Sequence, residues 1–131
     1  MIDFFPVRYD EAAYSDYTAL FTKCFPTSKK YSRNYLDWLY RCNPDGHVIG
    51  FDARDSDRLI AHYACIPARA RVSGQEVRVL LSLNTATHPD YQGKGLFTEL
   101  ADRTFKVGAE LNFDCVYGVA NSNSTPGFIR K

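Results

Sequence analysis

The chain's 131 residues suffice for one domain with a single core, and at 45% hydrophobic and 15% aromatic it reads as globular rather than disordered. A net charge of +1 without a basic run gives no sign of polyanion binding, hence no nucleic-acid partner, and no apolar run approaches the ~20 residues of a membrane span. Met1-Ile2-Asp3-Phe4-Phe5-Pro6 has no basic region and is not read as a signal peptide. The four cysteines, Cys24, Cys42, Cys65 and Cys115, form no C-x-x-C pair, which argues against a metal site and for reduced thiols in a cytoplasmic protein.

In chain order, Ile2 to Arg8 is short, apolar and broken by Pro6, as suits an edge strand. Asp10 can cap a helix that turns Ala13, Tyr17, Leu20, Phe21 and Cys24 inward and stops at Pro26. Ser32 opens a second helix with Tyr35, Leu36, Trp38 and Leu39, and Asn43-Pro44-Asp45-Gly46 ends it. Helical spacing makes the core the expected place for Trp38.

His47 to Ala53 reads as a strand and Arg54 to Asp57 as its polar turn. Arg58 to Val72 is a longer extended segment, interrupted at Pro67. Arg69, Arg71 and Arg78 alternate with apolar residues, as on a half-exposed sheet whose arginines are solvated. Ser73-Gly74-Gln75 makes a tight hairpin into Glu76 to Thr87. The hairpins give an antiparallel sheet, not a doubly wound one.

His88-Pro89-Asp90-Tyr91-Gln92-Gly93-Lys94-Gly95-Leu96-Phe97 follows, and from it leaves a helix with Leu96, Phe97, Leu100, Ala101, Thr104, Phe105 and Gly108 on one face. Glycine lets backbone N–H groups approach a ligand, and a helix start offers unpaired N–H groups and a favourable dipole. Strand, Gly93-Lys94-Gly95 and helix thus form a cradle suited to a phosphate or pyrophosphate. It is neither a Walker A loop, since Gly95 follows Lys94 where Ser or Thr is needed, nor a dinucleotide fingerprint, since Thr98 replaces the third glycine. Phe113 to Ala120 is then a central strand, apolar on both faces and parallel to the strand before the loop. Asn121 to Thr125 offers caps to a last helix, with Pro126 at its start.

Gln92-Gly93-Lys94-Gly95-Leu96-Phe97 resembles the Q/R-x-x-G-x-G/A acetyl-CoA loop of the GNAT (GCN5-related N-acetyltransferase) superfamily, with Phe97 in place of the final small residue. Thr87-His88-Pro89-Asp90-Tyr91 is similar to the family's V-x-P-x-Y lead-in. Asn121, Ser124 and Phe128-Ile129-Arg130-Lys131 resemble its N-x-x-A/S-x-x-x-Y/F-x-K segment. The order of elements matches over essentially the whole chain. The resemblance implies an α+β fold: a mixed, mostly antiparallel twisted sheet flanked by helices, with a parallel pair splayed at the acetyl-CoA site. The family continues into two further strands. The resemblance therefore implies one domain over residues 1–131 that is C-terminally incomplete, with an exposed sheet edge open to a homodimer.

The implied activity is transfer of acetyl directly from acetyl-CoA to an amine acceptor, a small molecule or amino sugar. Gln92, Gly93, Lys94, Gly95, Leu96 and Phe97 would hold the pyrophosphate, main-chain groups of Ala86 and Thr87 would meet the pantetheine arm, and Asn121 would bond the cofactor. Asn84 stands where relatives often carry an acid, and an amide there can hold a water or orient the acceptor. His88 has the right chemistry for a base but also suits a plain turn beside Pro89. Two helices after the first strand help wall the acceptor site in the family, and Tyr31, Tyr35, Trp38 and Tyr40 could line such a pocket. Cys65 and Cys115 read as core thiols. Phe128 takes the place of a Tyr that often protonates the leaving thiolate. With Asn84 it supports the alternative of a non-catalytic acyl-CoA-binding or protein-interaction module.

Overall fold

The computed structural model describes residues 2–27 and 31–117. Local chemistry starts each helix. Asp10 accepts the Ala13 N–H at 2.9 Å and caps α1 (Glu11–Cys24), and Ser32 does the same from Tyr35 for α2 (Arg33–Tyr40). The strands are β1 (Ile2–Pro6), β2 (Ile49–Asp55), β3 (Arg58–Val72), β4 (Gln75–Thr87) and β5 (Cys115–Tyr117), with α3 (Leu96–Glu110) between β4 and β5. Tight turns link the middle strands: Ser56 and the Ser73-Gly74 pair take left-handed backbone conformations there.

Among the described residues the sheet runs β1-β2-β3-β4-β5. Its first three pairings are antiparallel, and β4 with β5 is parallel, Val79 to Leu81 against Cys115 to Tyr117. The parallel pair follows from α3, because only a crossover returns the chain to the same end of the sheet. The fold is therefore mixed α+β and mostly antiparallel, as the sequence implied. No described helix is long and apolar enough to cross a membrane.

Each face carries its own apolar cluster. One gathers α1 and α2 with Val48, Ala64, Ile66 and Ala86. The other gathers α3 with Ala53, Ile60, Tyr63, Cys65 and Leu80. The middle of β3 is buried on both sides, which explains why Ile60 to Pro67 is apolar apart from His62 and the Tyr63 hydroxyl. At Gly108 an added Cβ would meet the Leu80 side chain at 2.7 Å, so the glycine is what lets α3 settle on β4.

Two expectations need correcting. Trp38 is not a core residue: Leu36, Leu39 and Tyr40 form the inner face of α2, and Trp38 is turned outward with 65% of its surface exposed. Pro67 does not interrupt β3, where it pairs with Leu80. Its carbonyl accepts a bond from Asn43 Nδ2 at 2.7 Å on the side away from β4, beyond Ile49, the residue at which β2 begins. The missing N–H falls on that same edge, where no ladder bond is lost. Arg69, Arg71 and Arg78 are exposed as expected, with Arg69 facing Asp45 and Glu76.

Candidate active site

The loop between β4 and α3 is built from backbone. A single 3₁₀ turn, Pro89–Tyr91, leaves β4, and Gly93 and Gly95 follow with φ of 81° and 74°. A Cβ at either glycine would meet no atom within 4 Å, so their conformation requires glycine and space does not. Gly95 is the N-cap of α3 and no side chain caps that helix. Its first-turn N–H groups have no intrahelical acceptors and lie at the positive end of the helix dipole. Lys94 is exposed between the two glycines. Leu96 is buried, and Phe97 stands edge-on to Tyr63 at 5.4 Å, which anchors the start of the helix to the sheet.

The end of β4 leads into this loop with defined polarity. His88 N–H donates to the Ile60 carbonyl at 2.7 Å. Antiparallel alternation then aims the N–H and C=O of Ala86 at its partner His62, and turns those of Thr85 and Thr87 toward the opposite edge. In keeping with this, the Thr87 carbonyl accepts from the Cys24 thiol and from Gln92 Nε2, each at 3.3 Å. Gln92 thus ties the loop to the strand end. Burial raises the Cys24 thiol above its ordinary range.

His88 is buried, and both its ring nitrogens face donors. Nδ1 accepts from Asp90 N–H at 3.0 Å, and Nε2 lies 2.7 Å from Arg58 Nη2. These contacts place the ring between the β4 turn and the start of β3.

A break in β4 decides where Asn84 points. Ala64 pairs with Asn84 but Cys65 pairs with Ser82, leaving Leu83 as an extra, exposed residue. Before it, Ser82 faces the α3 side and accepts the Tyr63 hydroxyl at 2.9 Å. After it, Asn84 faces α1 and α2. Uninterrupted alternation would have put both on one side.

On that face Asn84 joins a buried line of polar groups. Its Nδ2 donates to Tyr40 Oη at 2.9 Å, and Tyr40 Oη is 2.8 Å from His62 Nε2. His62 Nδ1 is 2.6 Å from Asp52 Oδ1, and the Tyr17 hydroxyl donates to Asp52 Oδ2, also at 2.6 Å. Tyr17 in turn accepts the Arg8 N–H at 3.0 Å. The Asp52 carboxylate accepts from both sides, so a singly protonated His62 donates from Nδ1 and accepts the Tyr40 O–H at Nε2. Burial first, with Asp52 adding to it, pushes the Tyr17 and Tyr40 phenols well above their usual range. Asn84 Oδ1 is buried and has no partner among the described residues.

The structure thus gathers Ala86, Thr87, Gln92, Gly93, Lys94, Gly95, Leu96 and Phe97 at one strand end and helix start. Asn84 and His88 lie on the same strand end but share no hydrogen-bond partner. Asn121 and the motif from Ser124 to Lys131 lie outside the described residues. Tyr31 and Tyr35 pack against the α1/α2 cluster, and Tyr40 is fully buried within it. Cys65 is a core thiol that burial pushes up to about 12, and Cys115 is half-buried. The sequence reading missed Tyr17, Asp52 and His62. The one available signal was a His and an Asp inside otherwise apolar strands.

A strand, a left-handed glycine pair and an uncapped helix start meet at one end of a mixed sheet. The acetyltransferase (GNAT) domain family matches residues 7–131, and the chain belongs to it. Solved structures share the fold. A predicted acetyltransferase from Clostridium acetobutylicum, solved with acetyl-CoA, is 16% identical, with a TM-score of 0.75 over 97% of this chain and 86% of its own. An aminoglycoside acetyltransferase from an uncultured soil metagenomic sample, in complex with sisomicin, is 13% identical, with a TM-score of 0.70 over 95% and 81%. Glucosamine-6-phosphate N-acetyltransferase from Arabidopsis thaliana is 10% identical, with a TM-score of 0.68 over 96% and 86%. No match is found among curated proteins.

Proposed function

We propose that this acetyltransferase-family chain moves the acetyl group of acetyl-CoA directly to an amine of a small molecule or amino sugar. The observation that carries the reading is the uncapped start of α3 behind two left-handed glycines, at the end of a strand whose Thr85 and Thr87 amides face outward. Those parts suit a ligand with a pyrophosphate followed by an amide-bearing arm. The backbone N–H groups from Gly93 to Phe97 would hold the pyrophosphate, with Lys94 adding charge at the rim.

Thr85 and Thr87, rather than Ala86, carry the main-chain groups suited to the pantetheine arm, since those of Ala86 are directed at His62. An outward N–H on this stretch can polarise a thioester carbonyl and stabilise the oxyanion that forms when an amine attacks. The acceptor class is drawn from relatives that act on aminoglycosides and glucosamine 6-phosphate. One observation favours binding without catalysis: the Asn84 side chain is an amide, and both His88 ring nitrogens face protein donors.

Calorimetric titration of acetyl-CoA tests the reading, with Gly95→Pro as control because proline cannot take a positive φ. Binding that Gly95→Pro weakens at least ten-fold, with acetyl transfer to an amine panel, is the expected result. Binding without transfer would leave an acyl-CoA-binding module. No heat from the folded protein would overturn both.

A further inference from the structure

The buried line from Asp52 to Asn84 has a direction. An Asp52 oxygen accepts, His62 therefore donates to it, Tyr40 donates to His62, and Asn84 donates to Tyr40. Each step fixes the next, because Tyr40 has one proton and gives it to Nε2. An Asn amide seen alone can turn either way, but here, with a singly protonated His62, the NH₂ end faces Tyr40. The carbonyl end is then the one left over, and it has no partner among the described residues although Asn84 is only 1% exposed. A buried carbonyl without a donor is uncommon and costs stability. Asn84 also lies three residues beyond Leu81, the last described β4 residue paired with β5, next to the outward amides of Thr85 and Thr87.

We infer that Asn84 Oδ1 binds the acceptor, taking a hydrogen bond from its amine N–H, and that Asp52, His62 and Tyr40 are positioning residues that keep this oxygen forward. The inference rests on the acetyltransferase reading and deepens it. An N–H held by Oδ1 orients the amine nitrogen so that its lone pair is directed elsewhere, as attack on a thioester carbonyl requires. Asn84 does not take the proton. The line ends in donors that are already committed, and an amide has no basic site for it.

The experiment compares Asn84→Leu, Asn84→Asp and Tyr40→Phe with the parent protein. Each is measured by acetyl-CoA calorimetry and by steady-state transfer to a panel of amino sugars, aminoglycosides and polyamines. Asn84→Leu should raise the KM of the best amine at least ten-fold while acetyl-CoA affinity stays within two-fold. Asn84→Asp, which keeps an oxygen forward but sets a second acceptor against a Tyr40 hydroxyl already given to His62, should recover only part of the loss. Tyr40→Phe should raise the amine KM in the same direction, since it frees the amide to turn. An unchanged amine KM in Asn84→Leu would overturn the inference while leaving the acetyltransferase reading intact, and would mark Oδ1 as a water site. Acetyl-CoA binding by the parent without transfer to any amine would also overturn it. Loss of acetyl-CoA binding by the parent protein would instead remove the reading beneath it.

Discussion

The loop before α3 and the polar line beneath β4 meet the same strand, yet they are made in opposite ways. The loop presents backbone groups, is open around both glycines, and depends on residues adjacent in sequence. The line is made of side chains, is buried, and joins Tyr17, Tyr40, Asp52, His62 and Asn84 from five different elements. A backbone cradle needs only the right conformation, so it can sit on a marginal, exposed turn. A side-chain line in the core must satisfy its members together, because each unpaired group there loses its hydration for nothing.

The contrast sets the order of expected effects. Asp52→Ala should be the largest, since it leaves the His62 Nδ1–H and the Tyr17 hydroxyl buried without an acceptor. At about 1–3 kcal/mol for each such group, a loss of about 3 kcal/mol or more is expected in chemical denaturation. A loss under about 1 kcal/mol would mean that water replaces the carboxylate and that the line is not a closed unit.

Gly95→Ala should cost about 1–2 kcal/mol, from the left-handed backbone alone, since no atom obstructs the new methyl. Its effect should separate from that of Asp52→Ala in a second measurement: acetyl-CoA affinity should fall far more than stability. Trp38→Ala, on the outer face of α2, should stay within about 0.5 kcal/mol by thermal unfolding. A larger loss would show that the exposed indole is covered in solution.

The smallest effect should be an acid-side one. Arg41, then Tyr14, hold the half-buried Asp37 carboxyl down to about 2 from an ordinary 3.8. A depressed carboxylate contributes stability above its ordinary range and loses it as pH falls through the lowered value. The drop in unfolding midpoint between pH 3.8 and about 2 should therefore be shallower in Asp37→Asn, and added salt should shrink the difference. Equal slopes in the two proteins would show that solvent screens the pair out.

How much the sequence disclosed follows the same division. Asp10 and Ser32 as caps, the Ser73-Gly74 turn and the glycine loop were legible because each is a local decision with a local signature. Trp38 was misjudged because helical spacing puts it near the inner face, and the sharper rule is which three residues the sheet covers. Pro67 looked like a break because its harmlessness depends on where β2 starts, a fact held 18 residues upstream at Ile49. Ala86 was named beside Thr87 because alternation shows which residues share a side but not which side is paired. His88 showed its residue type, but the donors on both its nitrogens come partly from Arg58, 30 residues away. The polar line had no motif at all, since its five members span residues 17 to 84 with unrelated spacings.

The extra residue at Leu83 bears on how this strand can change over generations. Loss of that one codon would keep the reading frame and restore strict alternation, placing Asn84 directly after Ser82 and so leaving it on the side of α1 and α2, facing Tyr40. Elsewhere in the strand, where no residue is extra, a single-residue deletion would exchange the two faces of everything downstream at once. Lineages descending from this chain should accordingly tolerate loss of Leu83 more readily than loss of a paired residue of β4.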